Sequence, residues 1–146
     1  MAMTMSGEIQ LAAPREVVWT KLNDPIVLKA CIPGCEELER IDDGGFRAVA
    51  KMKVGPVSAR FKGKVTLNDL DPPRSYTILD EGEGGVAGFA KGGAKVSLLE
   101  REDGTLLTYH VDAQIGGKLA QLGQRLVNGT AKKLADEFFA NFVRAL

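Results

Sequence analysis

The chain has 146 residues, enough for one domain that buries roughly 70% of its unfolded surface without disulfide staples. Nineteen Lys and Arg balance nineteen Asp and Glu, and neither sign forms a long run, so the electrostatic footprint of a nucleic-acid binder is missing. No basic-then-apolar leader opens the sequence and nowhere do about 18 apolar residues run together, so the expectation is a soluble cytoplasmic protein with residues 1–146 as a single domain.

Residues Thr4–Leu11 alternate, with Met5, Ile9 and Leu11 on one side and Thr4, Glu8 and Gln10 on the other, the period of a half-buried strand. The period then changes. Pro14 suits a first helical turn, Glu16 suits its positive end, and Val18, Trp19 and Leu22 share a face, which predicts a short helix. Asn23-Asp24-Pro25 ends it, and a second short helix fits "PIVLKAC" before the Pro33-Gly34 turn.

From there to about Gly117 the pattern is β. "CEELERI" is the first strand after the turn. Asp43-Gly44-Gly45 then turns the chain into a strand with Phe46, Ala48, Ala50, Met52 and Val54 on one side. After Gly55-Pro56, Val57, Ala59, Phe61, Gly63, Val65 and Leu67 oppose Ser58, Arg60, Lys62, Lys64 and Thr66, and Asp71-Pro72-Pro73 closes that strand. Three more fit "RSYTILDE", "AKVSLLERE" and "TLLTYHVDAQI", the last two joined at Glu102-Asp103-Gly104. The final 30 residues, 117–146, read as helical throughout, about 40 Å long. Two apolar rows, one through Leu122, Leu126, Leu134, Phe138 and Phe142 and one through Leu119, Val127, Ala131, Phe139 and Val143, must lie on an apolar surface. The fold class is therefore α+β: a seven-stranded curved antiparallel sheet wrapped on a long C-terminal helix, with two short helices between strands 1 and 2.

The face assigned to the interior mixes Phe46, Phe61, Val65, Tyr109 and Val111 with Ala48, Ala50, Ala59, Gly63, Ala94 and Ala113. A sheet packs about 10 Å from its cover, a gap that Ala and Gly do not fill. Either the helix sits close and large neighbours lean in, or a cavity suited to a hydrophobic ligand remains. Part of the helix's apolar surface, Phe139 and Val143, is a candidate for exposure and partner contact.

Other motifs are weak. "GEGGVA" matches the dinucleotide fingerprint in letters, but no helix follows to hold a pyrophosphate. Gly82, Gly84, Gly85, Gly88, Gly92 and Gly93 read as a bulged β segment, with a flap at a cavity mouth as the rarer alternative. His110, the sole histidine, falls on the outer face with Thr108, Asp112 and Gln114, and no catalytic triad is visible. Cys31 and Cys35 bracket Ile-Pro-Gly. Two thiols are too few for a metal site, so they read as free thiols at a turn, and no metal ligand set or catalytic residue is assigned.

Several blocks together, "APREVVWTKLNDPIVLKACIPGCEELE", "KVGPVSARFKGKV", "YHVDAQIGGKLAQLGQRLV" and "AKKLADEFFANF", resemble the carbon monoxide dehydrogenase CoxG family of the START-like helix-grip superfamily, from about Gly7 to the end. The resemblance implies the helix-grip fold already read from the pattern. It also implies a non-enzymatic accessory protein of a carbon monoxide dehydrogenase-type molybdenum hydroxylase, acting in membrane recruitment, electron hand-off or maturation. A bound quinone or lipid is the implied ligand, with transient contact at the inner face of the cell membrane. The side chains expected to line the site are Trp19, Leu22, Phe46, Phe61, Phe89, Tyr109, Leu122, Leu126 and Phe138. Two rival expectations are a protein-interaction factor with a filled core and a small START-like cyclase or hydrolase.

Overall fold

The computed structural model describes residues 1–41 and 44–146, so Asp43 of the expected Asp43-Gly44-Gly45 turn lies outside the described residues. Strand β1 (Ala2–Leu11) alternates in burial as its sequence does and begins two residues earlier than the pattern predicts. Helix α1 (Arg15–Leu22) starts after Pro14, whose carbonyl accepts from the Val17 and Val18 amides. Helix α2 (Pro25–Cys31) is capped by Asp24, whose Oδ1 accepts from the Ile26 amide at 2.9 Å, with Pro25 in the position that lacks a hydrogen-bonding demand.

The turn after α2 depends on Gly34. Its φ is 74°, a region costly for other residues, and a Cβ there would collide with the Lys51 carbonyl oxygen. The chain then forms β2 (Cys35–Arg40), β3 (Phe46–Val54), β4 (Val57–Asp71), β5 (Ser75–Glu83), β6 (Phe89–Arg101) and β7 (Gly104–Gly116). All pairs are antiparallel, and the sheet order is β1-β7-β6-β5-β4-β3-β2. The expected seven-stranded α+β architecture with two short helices between the first two strands is the one observed.

The glycine-rich stretch is largely β, as its leading reading had it, and the flap alternative falls: β6 begins at Phe89 and runs through Gly92 and Gly93, and residues 84–88, with a 3-10 turn at Gly85–Ala87, separate it from β5. Cross-strand pairing with β5 and β7 supplies the hydrogen bonds that a flap would leave to water.

The C-terminal helix is not continuous. A short α3 (Lys118–Gln121) is followed by a break at Gly123, whose φ of 92° interrupts the helical path, and then by α4 (Gln124–Ala145). The 22 residues of α4 span about 33 Å. The break lets the chain turn from the end of β7 onto the concave face.

Helix α4 lies along that concave face, and its ends are packed differently from its middle. Near its C-terminus, Phe142 is fully buried with Leu11, Val18, Leu22, Cys31, Tyr76, Val96, Leu98 and Leu107, and Phe138 and Phe139 pack onto the same cluster. Near its N-terminus, Val127 is buried with Met3, Ile115 and Leu119, joined by Phe61, Ala90, Val111 and Leu122. Among the described residues, no helix is long and apolar enough to cross a membrane.

Candidate functional site

Pairing register fixes which side chains share the concave face. Phe61, Gly63, Val65 and Leu67 of β4 stand beside Gly82, Asp80 and Ile78 of β5, which in turn stand beside Ala90, Gly92, Ala94 and Val96 of β6. Val111 and Tyr109 of β7 continue the row opposite Ala94 and Val96. Ala48, Ala59, Val65 and Ala94 belong to neither apolar cluster, nor do Leu134 and Ala135 at the middle of α4. All six stay half-buried although sheet and helix face each other. Side chains this small cover the concave face less tightly than the clusters do, so an apolar stretch between the two clusters stays partly accessible to water.

Asp80 stands beside this stretch. The alternation Tyr76, Ile78, Asp80 turns it inward, and a Cβ on Gly63 would sit 3.4 Å from its Oδ1, so the carboxyl leans over the glycine on the concave side. It remains open to water, yet it is pushed up to about 6, first by loss of solvent and second by the neighbouring Glu81 charge. Openness to a water molecule and desolvation coexist when a carboxyl stands on a concave face instead of in bulk solvent. Among the described residues Asp80 forms no hydrogen bond or ion pair.

Sequence reasoning missed Asp80, although its signal was present. In "RSYTILDE" it holds the same parity as Tyr76 and Ile78, which pack into the core.

The residues expected to line the site divide into groups. Trp19, Leu22, Tyr109 and Phe138 meet in the cluster at the C-terminal end of α4. Trp19 stands edge-on to Tyr76 at 5.2 Å, and Tyr109 stacks on Phe139 at 5.4 Å, so Phe139 faces inward while Val143 alone of that expected pair stays exposed. Gly7 makes room for the Tyr109 ring, whose hydroxyl would collide with any Cβ there. Phe61 and Leu122 join the other cluster. Phe46 is buried under the Arg40 guanidinium, 5.0 Å from its ring centre.

Two of the expected residues are not brought to the concave face. Phe89 pairs with Glu83 and Gly116, the outward-pointing positions of their strands, and is 41% exposed beside Lys91. Leu126 is 38% exposed and lies against the β3–β4 turn, 2.7 Å from where a Gly55 Cβ would be. Phe89 instead helps line a charged outer cleft of about 810 Å³ with Arg47, Lys62, Glu81, Glu83 and Val86, across the sheet from the apolar stretch.

His110 is on the outer face as expected, near Ser6 at 2.6 Å and Asp112 at 3.0 Å. Cys31 and Cys35 are free thiols, and burial pushes both up. The described residues contain no group of three or more His, Cys, Asp or Glu placed to hold a metal ion.

Comparison with known proteins agrees with this geometry. A conserved protein from Geobacillus kaustophilus is 35% identical, with 98% of this chain and 94% of that one covered and a TM-score of 0.92. A Chromobacterium violaceum protein shares the fold at 14% identity, covering 97% and 95% with a TM-score of 0.73. The Zhui aromatase/cyclase from Streptomyces sp. R1128 does so at 13%, covering 99% and 93% with a TM-score of 0.72. At such identities the likeness shows the helix-grip fold alone. No curated protein matches the chain. The family described as the CoxG subunit of carbon monoxide dehydrogenase matches residues 7–146, and the chain therefore belongs to the carbon monoxide dehydrogenase CoxG family.

Proposed function

We propose that the protein is a non-enzymatic carrier of a hydrophobic molecule, a lipid or quinone, that serves a carbon monoxide dehydrogenase-type molybdenum hydroxylase. Its role there is membrane recruitment, electron hand-off or maturation. The observation that carries the ligand reading is the half-burial of the small apolar residues Ala48, Ala59 and Ala94 on the concave face, between the two clusters that hold the ends of α4. Family membership supports the partner. The protein works in the cytoplasm and meets the membrane transiently and peripherally.

The lining of this site comprises Trp19, Leu22, Phe61, Tyr109 and Phe138 from the flanking clusters, each supplying apolar contact, with Tyr109 adding one hydroxyl. Organic extraction of protein purified from its own organism, followed by chromatography and mass spectrometry, tests the reading. A quinone or lipid recovered near one per chain is the expected result, and its yield should collapse in Ala94→Phe. Solvent extracts with no such molecule, together with hydroxylase capture unaffected by Ala94→Phe, would favour a protein-interaction factor with no ligand.

A further inference from the structure

Among the described residues Asp80 has no hydrogen-bond or ion-pair partner, and it stands on the concave face among apolar residues. On β5 it stands midway between Ile78, which packs with the cluster around Phe142, and Gly82, whose β6 neighbour Ala90 packs with the cluster around Val127. Its cross-strand neighbours on the concave face are Val65 of β4 and Gly92 of β6, neither of which offers a side-chain hydrogen-bond donor. The side chain leans over Gly63, where any larger residue would contact it.

Asp80 is open to water yet partly desolvated, so a bound molecule that supplies a hydrogen-bond donor gains by pairing with it. Gly63, Gly82 and Gly92, all on the same face, leave the approach to the carboxyl unobstructed by side chains.

We infer that Asp80 is the polar anchor of the interior site and that the ligand it selects is an apolar molecule bearing a hydroxyl donor, oriented with that hydroxyl toward β5. This rests on the ligand-binding reading above and narrows it from a lipid or quinone to a hydroxyl-bearing lipid or the reduced quinol, held by its hydroxyl at Asp80. A hydroxyl donating to Asp80 makes a charge-assisted hydrogen bond, which contributes more than a neutral one. A ligand with the same apolar body but an ether in place of the hydroxyl leaves the carboxyl unpaired and adds an acceptor facing an acceptor.

Calorimetric titration of the full chain at pH 8 with 4-hexylphenol and with its methyl ether, 4-hexylanisole, provides the test. Wild-type protein is expected to bind the phenol about tenfold more tightly than the ether. Asp80→Asn should narrow that ratio to within about threefold, and Asp80→Leu should remove or reverse it while binding of the ether holds or improves. A preference for the phenol that survives in both variants would overturn the role of Asp80 and leave the ligand-binding reading standing. Failure of wild-type protein to bind either probe would overturn both.

Discussion

Asp80, Gly34 and the two cysteines show how differently single residues announce themselves in this sequence. Asp80 sits in a strand whose alternation fixes its side, but a carboxylate at an inward position contradicts the usual burial preference, and pattern reading passes over it. Its raised titration has a consequence for stability. The native state holds the proton to a higher pH than the unfolded chain does, so ionising Asp80 between about pH 4 and pH 6 weakens the empty protein. Asp80→Asn should therefore melt at a higher temperature than wild type at pH 7.5, and the gain should disappear near pH 4. Equal melting temperatures at pH 7.5 would contradict the desolvated placement of the carboxyl.

Gly34 was legible as a turn residue. The contact that makes it indispensable, the Lys51 carbonyl of β3, was not, because it joins residues far apart in sequence. Gly34→Ala should cost roughly 1–2 kcal/mol from the left-handed backbone alone, and more from the collision, as read by chemical denaturation. The Cys31 carbonyl accepts from the Asn141 side chain of α4 at 3.0 Å, so the buried cysteine marks where the helix pair docks on the long helix.

At the level of elements, alternation and turn chemistry located every strand, because each has one face packed and one face wet. The long helix was harder to bound. Its apolar rows continue through Leu119, Leu122 and Leu126, so periodicity gives no stop, and the break appears where Gly123 adopts a positive φ that Gly alone tolerates readily. The glycine-rich stretch was legible as β, but its glycines hid where β6 begins, and pairing on both sides holds Gly92 and Gly93 in the sheet.

Phe142 is the residue through which α4 is fixed most firmly, since it is fully buried among side chains from β1, α1, α2, β5, β6 and β7. Phe142→Ala should destabilise the protein by about 3–5 kcal/mol in urea unfolding. Val143, its exposed neighbour, should tolerate Val143→Ala with a change of less than about 0.5 kcal/mol.

For the molecule as a whole, two apolar clusters hold the ends of α4 to the sheet, and the concave-face residues between them are only half-buried. That arrangement follows from where bulk was placed: phenylalanines at 138, 139 and 142 close one end, Phe61, Val127 and Leu119 close the other, and alanines and glycines occupy the middle. The small residues were visible in the sequence as an ambiguity between a close helix and a cavity. The half-burial of Ala48, Ala59, Val65 and Ala94 supports the cavity reading, and it depends on how α4 lies over the sheet, which no local pattern encodes. The misplaced site residues have a similar origin. Phe89 lies at the first position of a strand whose start was misjudged, and Leu126 lies beyond the helix break, so the facing inferred for each was lost.

Filling the middle tests this directly at the scale of the fold. Ala94→Phe should leave the melting transition cooperative, because it adds bulk at a half-buried position, while abolishing retention of any apolar ligand. The most direct measurement of the central claim is native mass spectrometry of the wild-type protein purified without detergent from its own organism. A species heavier than the bare chain by the mass of one lipid or quinone, converted to the bare chain on mild activation and missing in Ala94→Phe, is the predicted result. A spectrum of bare chain alone, unchanged after incubation with membrane lipids and quinones, would contradict it.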